Sequence, residues 1–461
     1  MALTKVTNLL ISGSTINLLD YGVTGNGTDE TVAIQSAITA ACAEKRTLYI
    51  PSGTYKYTTL TIDDEISVIG DGNGSNLQTT QVANGGITVT TRWPVTFERM
   101  VLSADGTPTD GALLTLNATV FETGLATFRN VVFFNYYIGL RFLKAATWNI
   151  YDCYFESKGL DAGSTSLWIQ NDQNPDSGDS SCIGNVFYYS NDIGTHIRQI
   201  SSGGTKIIGN KFLYGQSHYR MALAATANTY DLIFANNSSE FAADGNMIFD
   251  AASGGTWANV QISNNQYTIT SAKYGILVNP SGDPSSIVTW LDGLNINGNI
   301  FGSNGAATAI EINNTRRVSI DTNSYRMESG STGIYLGPST NGVDIKPQSF
   351  NNNNLAYPIA GNISAANVSI CNSSGVNFSL ASGADIVILL ENSLANSVAS
   401  VTIGGTVATV GTVTGQYIAA GASTVTTLQA ITNVALNNNA TSLQIVNSTG
   451  QVFTGKILVS Y

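Results

Sequence analysis

One phrase returns along the chain at a nearly fixed interval, and it constrains the fold more than any other feature of the sequence. Alternating apolar positions lead to an Asn and then to an aromatic. The phrase reads Ile183-Gly184-Asn185-Val186-Phe187, then Ile208-Gly209-Asn210-Lys211-Phe212. It returns as Ile262-Ser263-Asn264-Asn265-Gln266-Tyr267, as Ile296-Asn297-Gly298-Asn299-Ile300-Phe301 and as Ile320-Asp321-Thr322-Asn323-Ser324-Tyr325. Looser copies start at Phe128 and Ile150, and a second phrase lies between copies: Gly275-Ile276-Leu277-Val278, Ala309-Ile310-Glu311-Ile312 and Gly333-Ile334-Tyr335-Leu336. The interval is about 24–25 residues, widening to about 28–34 where a loop intervenes, which is a solenoid period. Alternation within each phrase gives short strands with one buried face, and the long 3.6-residue periodicity of stacked helix pairs is missing. A coil of two or three short strands cannot bury its own apolar face, so successive coils stack. The expected fold is all-β, a right-handed parallel β-helix. The aromatics form an internal ladder, and the Asn residues form a second ladder at a bend.

The ends of the chain read differently. After residues 1–27, taken as a neck or attachment segment, Thr28 is an expected helix N-cap, with Asp29 and Glu30 at the positive end of the helix dipole. Ile34, Ala37, Ile38 and Ala41 then recur on one face of a helix expected to end near Lys45. Leu48-Tyr49-Ile50-Pro51-Ser52-Gly53-Thr54-Tyr55 reads as strand, turn and strand. The β-helix with its capping helix is expected over residues 28–350. From residue 351 onward the repeat disappears and only Asp385, Glu391 and Lys456 are charged. Alternating runs such as Val401-Thr402-Ile403 predict a small β-sandwich-like domain over 351–461. Its lack of charge points to a covered surface, with a homo-oligomer interface as the simplest cover or a carbohydrate-binding face as another.

Charge excludes some partners. The net charge is −11, and Lys and Arg are scattered without a basic run. Neither nucleic acid nor an anionic membrane surface is an expected partner, since both need clustered cations. Cys42, Cys153, Cys182 and Cys371 lack CxxC spacing and are expected as free, mostly buried thiols. Leu9-Leu10-Ile11 is too short for a signal peptide or a span.

The segment Asn17-Leu18-Leu19-Asp20-Tyr21-Gly22, Gly25-Asn26-Gly27-Thr28-Asp29-Glu30-Thr31, Ile34-Gln35 and Leu48-Tyr49-Ile50-Pro51-Ser52-Gly53-Thr54-Tyr55 resembles the opening of the pectate-lyase superfamily. Within that superfamily it is most similar to bacteriophage tailspikes and capsule depolymerases. The match covers about 40 residues in order, and the repeats extend it to about residue 350. The resemblance implies a homotrimer in a virion tail, made in the host cytoplasm and released by lysis. It also implies a bacterial surface polysaccharide as ligand, other tail proteins as partners, and often an endo-acting hydrolase or lyase. The motif marks the fold and carries no catalytic residue onto this chain. A separate particle-anchoring domain before the motif is not expected.

Candidate chemistry must come from the residues themselves. Glycosidic hydrolysis takes two carboxyl groups, roughly 5–5.5 Å apart for retention and roughly 6.5–9.5 Å apart for inversion. Stacked strands lie about 4.8 Å apart, so acids on nearby coils suit either outcome. Glu240, placed outward on the premise that Phe241 is inside, is the first catalytic candidate, with Asp250 and Glu311 as the others. Counting columns sets Asp250 beside Asn279 and Asn313, and Glu156 is a more distant acid. For sugar binding the candidates are Trp168, Arg198, His218, Tyr219, Arg220 and Trp257. A flat ring offers an apolar face to a sugar, and Arg binds a carboxylate through two bonds. Asp172-Gln173-Asn174-Pro175-Asp176-Ser177-Gly178-Asp179 has oxygen spacing of a Ca²⁺ loop but lacks the downstream bidentate Glu, so neither metal nor cofactor is expected. Three readings stay open: a depolymerase that hydrolyses by a carboxylate pair, a spike that only binds, and a lyase using Arg198, Arg220 or His218.

Overall fold

The computed structural model describes residues 15–350 apart from 82, 84, 119–123, 159–162, 171–178, 201, 223–227, 251–255, 279–290, 314, 338–339 and 347; beyond residue 350 it describes only strands. The chain divides into two compact units, residues 1–220 with 227–232 and residues 221–226 with 233–461.

The first unit opens on a short strand, Asn26–Asp29, and the helix α1, Thr31–Glu44. Asn26–Asp29 is already paired in parallel with Gly53–Tyr57. This pairing moves the helix start past the expected Thr28 to Glu30, whose carboxylate turns back to accept from the Thr24 and Gly25 amides. Asp29 accepts from the Thr31 amide instead. Ile34, Ala37, Ile38, Ala41 and Cys42 face inward. The side-chain amide of Gln35 both donates to the Thr61 carbonyl and accepts from its amide, each at 2.9 Å. It pairs the free edge of strand Thr59–Ile62 as a neighbouring strand would, which closes an otherwise sticky edge.

From there each coil contributes three strands to three parallel sheets. Trp148–Tyr151, Tyr154–Ser157 and Thr165–Ile169 make one coil; Ser180–Ile183, Val186–Tyr189 and Thr195–Gln199 make the next. The register is Ile150↔Cys182 in the first sheet, Phe155↔Phe187 in the second and Trp168↔Arg198 in the third. The repeated phrase covers the turn from first to second sheet. In the copies that start at Ile183 and Ile208 the second residue is left-handed, at φ 71° for Gly184 and 67° for Gly209, which explains Gly at that position. The next residue is the ladder Asn. Asn185 donates from its backbone and side chain to Asn210 Oδ1, both at 2.9 Å, and to the Ile150 carbonyl at 3.1 Å. The aromatics stack as Phe133, Phe155, Phe187 and Phe212, with centroids 4.5, 4.6 and 4.9 Å apart. Cys42, Cys153 and Cys182 are free and buried, and burial pushes the Cys153 thiol up to about 12; Cys371 lies outside the described residues.

The second unit repeats this plan. Its ladder runs Asn237, Asn265, Asn299, Asn323 and then Gln348, which takes the place of the next Asn. Tyr267, Phe301 and Tyr325 stack inside it, with centroids 5.0 and 5.4 Å apart. Parallel pairing runs on past residue 350, through Tyr357–Gly361, Ser369–Ile370 and Val376–Leu380. Antiparallel strands follow: Phe453–Ser460 pairs with Val376–Leu380 and with Ser400–Val407, and Ser442–Asn447 pairs with Asp385–Leu389 and Val434–Asn439. Among the described residues, no helix is long and apolar enough to cross a membrane.

Candidate functional site

The outer face of the third sheet gathers most of the chemistry. In the first unit its strands are Thr59–Ile62, Gly86–Val89, Ala112–Asn117, Ile138–Lys144, Thr165–Ile169 and Thr195–Gln199. Parallel register aligns one outward column through them: Thr61, Thr88, Thr115, Arg141, Trp168 and Arg198. The Arg141 guanidinium lies 4.7 Å from the Trp168 ring centre, and that of Arg198 lies 5.0 Å from it. Because these residues come from the coils before and after Trp168, both faces of the indole are covered. This alters the part expected of Trp168, since an indole stacked between two guanidiniums has no free face for a sugar. Arg141 also donates to the Gln170 side-chain oxygen at 3.1 Å. Sequence reading missed Arg141, although Leu140-Arg141-Phe142 has the same parity as Leu167-Trp168-Ile169. Arg220, half-buried, stands on the neighbouring strand that begins at Ser217.

His218 and Tyr219 are corrections to the sequence reading. Both are fully buried, so neither is a surface sugar contact. His218 stacks against Phe212 and donates from Nε2 to the Tyr214 carbonyl at 2.9 Å. The Tyr219 hydroxyl donates to Gln199 at 2.9 Å. His196, the other histidine, is also in the core, stacked on Tyr189 with centroids 4.7 Å apart. Its Nε2–H donates to the carbonyls of Leu213 and Tyr214, and Nδ1 faces Ser166, which itself accepts from Tyr136. Burial holds His196 down at about 4 and His218 well below the usual imidazole range. Surface imidazole chemistry is therefore removed from the chain, whose only histidines are these two.

The expected acids fall in the second unit. Glu311 lies half-buried on the outer face of the third sheet, in a column that reads Ile248, Leu277, Glu311, Tyr335 and Ala360. Asn313 donates to Glu311 Oε1 at 3.1 Å and fixes the carboxylate. The Tyr274 hydroxyl is raised by burial and further by the Glu311 charge. Asp250 ends strand Gly245–Asp250. The register Phe249↔Val278↔Ile312 puts its column in line with Asn313, as counted from the sequence; Asn279 lies outside the described residues. Asp250 and Glu311 thus share one sheet face two coils apart. Glu240 is on the second sheet, in register with Thr268, and accepts from Ser238 Oγ at 3.1 Å. It faces out for a different reason than expected. Phe241 is not inside: it takes a left-handed bulge at φ 63°, and Ser239 and Ala242 are the inward residues. Trp257 falls on strand Thr256–Ser263, but its side chain lies outside the described residues, as does the Asp172–Gly178 stretch of the Ca²⁺-like loop. Glu156 stands outward on the second sheet of the first unit, in register between Phe134 and Tyr188. Among the described residues no group of His, Cys, Asp and Glu is arranged to hold a metal ion.

The family of pectate-lyase-like domains described as rhamnogalacturonase A/epimerase matches residues 15–197. No curated protein matches the chain in sequence. Among solved structures, the tailspike of Escherichia coli bacteriophage HK620, a mutant in complex with a pentasaccharide, is 12% identical with a TM-score of 0.51, over 96% of this chain and 94% of that one. The tailspike of Acinetobacter phage vB_ApiP_P1 is 11% identical with a TM-score of 0.46, over 97% and 87% of the two chains. A DFA-IIIase from Arthrobacter chlorophenolicus A6 is 12% identical with a TM-score of 0.49, over 71% and 94%. The family match is confined to residues 15–197, and repeat, ladders, capping helix and the likeness to the HK620 tailspike agree on the fold: the chain is a right-handed parallel β-helix.

Proposed function

We propose that this protein is a bacteriophage tailspike that binds a bacterial surface polysaccharide and cuts it by hydrolysis. The observation that carries the reading is Glu311 and Asp250 on one outer sheet face. A flat parallel face of this kind suits an extended chain of sugars. One carboxyl group protonates the leaving oxygen while the other activates water. They are offset by two coils, roughly 9.6 Å along the axis from a strand spacing of about 4.8 Å, and by two residues along the strand, roughly 6.6 Å from a rise of about 3.3 Å per residue. An offset this wide is beyond the reach of retention, so the reading takes inversion, with the two side chains leaning toward one another across a water molecule. The phage reading draws on the opening motif and on the fold likeness to the HK620 tailspike. With it come a homotrimer, a place in the virion tail and other tail proteins as partners.

One observation favours a spike that binds without cutting. Glu240 stands on another sheet, so the paired-acid arrangement rests on Asp250 and Glu311 alone. The test is incubation with surface polysaccharides from a panel of candidate host bacteria, followed by chain length and ultraviolet absorbance. Shortening without new absorbance is the expected result. Shortening with new absorbance from unsaturated sugars means a lyase, and binding without shortening means the non-cutting spike.

A further inference from the structure

We propose that Phe134, Glu156 and Tyr188 form a binding site for a neutral sugar on the outer face of the second sheet. The site lies in the first unit, uses none of the cutting chemistry, and rests only on the reading of the chain as polysaccharide-binding. Strand register builds it. One outward column of the second sheet runs Ser103, Phe134, Glu156, Tyr188 and Leu213. Phe134 and Tyr188 come from the coils before and after Glu156, so a ring flanks the carboxylate on either side. Tyr154 stands outward two residues before Glu156 on the same strand, between Val132 and Val186 of the neighbouring coils. Phe134 is 45% exposed, and Glu156, Tyr154 and Tyr188 are half-buried. Tyr214, exposed beyond Leu213, meets the Tyr188 ring edge-on with centroids 6.1 Å apart.

Spacing and charge select the ligand. Rings on alternate coils stand roughly 9.6 Å apart along the axis, from a strand spacing of about 4.8 Å. A pyranose entering edge-on between them needs a carbon–carbon contact of about 4 Å on each side, which that gap supplies. Its apolar faces then meet the aromatic rings, and its edge meets the Glu156 carboxylate below. Two neighbouring hydroxyls can each donate to one carboxylate oxygen. Burial first, and then the charge of Glu156, raise the Tyr154 hydroxyl above its ordinary range, which sets that hydroxyl close to the same carboxylate. Glu156 makes no ion pair among the described residues. A carboxylate so placed repels uronic acids and other anions. It also argues against a second copy of the chain as the cover, because the cores of protein interfaces are depleted in charge and a buried unpaired carboxylate is unfavourable. A sugar presents hydroxyl donors to the charge and carbon to the rings at once, so a neutral hexose with adjacent hydroxyls is the class of ligand.

The test is saturation-transfer NMR on the full chain, with the methyl glycosides of glucose, galactose, mannose and rhamnose as neutral probes. Sodium glucuronate and glucosamine hydrochloride, at matched ionic strength, are the anionic and cationic comparisons. The proposal expects saturation to reach at least one neutral glycoside and not glucuronate. Phe134→Ala and Tyr188→Ala should each weaken binding of that glycoside by about fivefold, and Glu156→Gln by about tenfold. The thermal unfolding midpoint reports whether each variant is folded, and Phe134→Ala, at an exposed position, keeps the test decisive if Tyr188→Ala is not. No transfer to any neutral glycoside overturns the site, as does unchanged binding in folded Phe134→Ala and Glu156→Gln proteins. Glucosamine binding more tightly than every neutral probe, and losing that binding in Glu156→Gln, overturns the neutral class. Sedimentation of Phe134→Ala as a smaller species than wild type also overturns the site, since the face is then covered by a second copy of the chain. Failure here and failure of hydrolysis are distinguishable. Probes that bind at this site while every polysaccharide is left uncut sink hydrolysis alone. A polysaccharide shortened by protein that binds no neutral probe sinks this site alone.

Discussion

Strand parity decides which side chains reach solvent, and the third sheet breaks parity at its first residues. Strands Thr165–Ile169 and Thr195–Gln199 bury three residues in succession and release only the fourth, Trp168 or Arg198. His218 and Tyr219 fall on the buried positions of the next strand and Arg220 on the released one. The sequence held the signal, since Thr195-His196-Ile197-Arg198 and Ser217-His218-Tyr219-Arg220 are one phrase written twice. Aligning them would have put both imidazoles on the same inner column. Their burial has a consequence for acid. In the unfolded chain a histidine takes up its proton near pH 6.5, whereas His196 in the fold resists until about 4. Within that window the unfolded state binds more protons, so stability falls as pH falls. The loss is about 3 kcal/mol from His196, with His218 acting in the same direction. Denaturant unfolding at pH 7 and at pH 4.5 should show a lower midpoint in acid, and His196→Gln should narrow the gap. An equal gap in the two proteins would mean that His196 does not cause it.

The elements are held in register by the turn between the first and second sheets. Asn299 shows how much one ladder residue carries. Its Oδ1 accepts from the Asn265 backbone and side chain at 2.9 Å each, and its own amide reaches Asn323 Oδ1 at 3.0 Å and the Ile262 carbonyl at 3.1 Å. Removing it strands donors of Asn265 in a buried turn, where each unmade bond costs about 1–3 kcal/mol. Asn299→Ala should therefore destabilise the fold by about 3–5 kcal/mol in denaturant unfolding, while exposed Asn295→Ala should stay within about 0.5 kcal/mol. Similar losses in the two variants would show that the ladder is not the origin of the register. At this scale the sequence was legible because ladder Asn and stacked aromatic recur at fixed positions. The start of α1 was not legible, because parallel pairing of Asn26–Asp29 with Gly53–Tyr57 overrides the capping preference of Thr28. Nor was Phe241, whose side chain a bulge turns away from the core.

For the whole molecule, a period in the sequence specified a stack of coils, but not which outward residues meet. Outward positions on a β-helix are set by register between coils, and loops of unequal length shift the count. Arg141 and Arg198 are 57 positions apart and Asp250 and Glu311 are 61 apart, yet each pair shares one face of one sheet. Glu240 and Asp250 are only ten positions apart and stand on different sheets. A site assembled from register is thus the part of this protein least visible in its sequence. On the proposed reading, the offset of Asp250 from Glu311 also sets the stereochemistry. Sugars released from a susceptible polysaccharide should carry the inverted anomeric configuration when followed by proton NMR, and retention would require a closer pair than these two.

The central claim is that carboxylates on this outer face cut the polysaccharide. The most direct measurement is the release of reducing ends from a polysaccharide that the wild-type protein shortens, compared with Glu311→Gln and Asp250→Asn under the same conditions. The account predicts a loss of about a thousandfold or more in each variant, in line with removal of an essential acid or base. Binding of the polymer and the unfolding midpoint should stay close to wild type. Variants that bind and cut as the wild type does would contradict it and move the chemistry to another face of the β-helix.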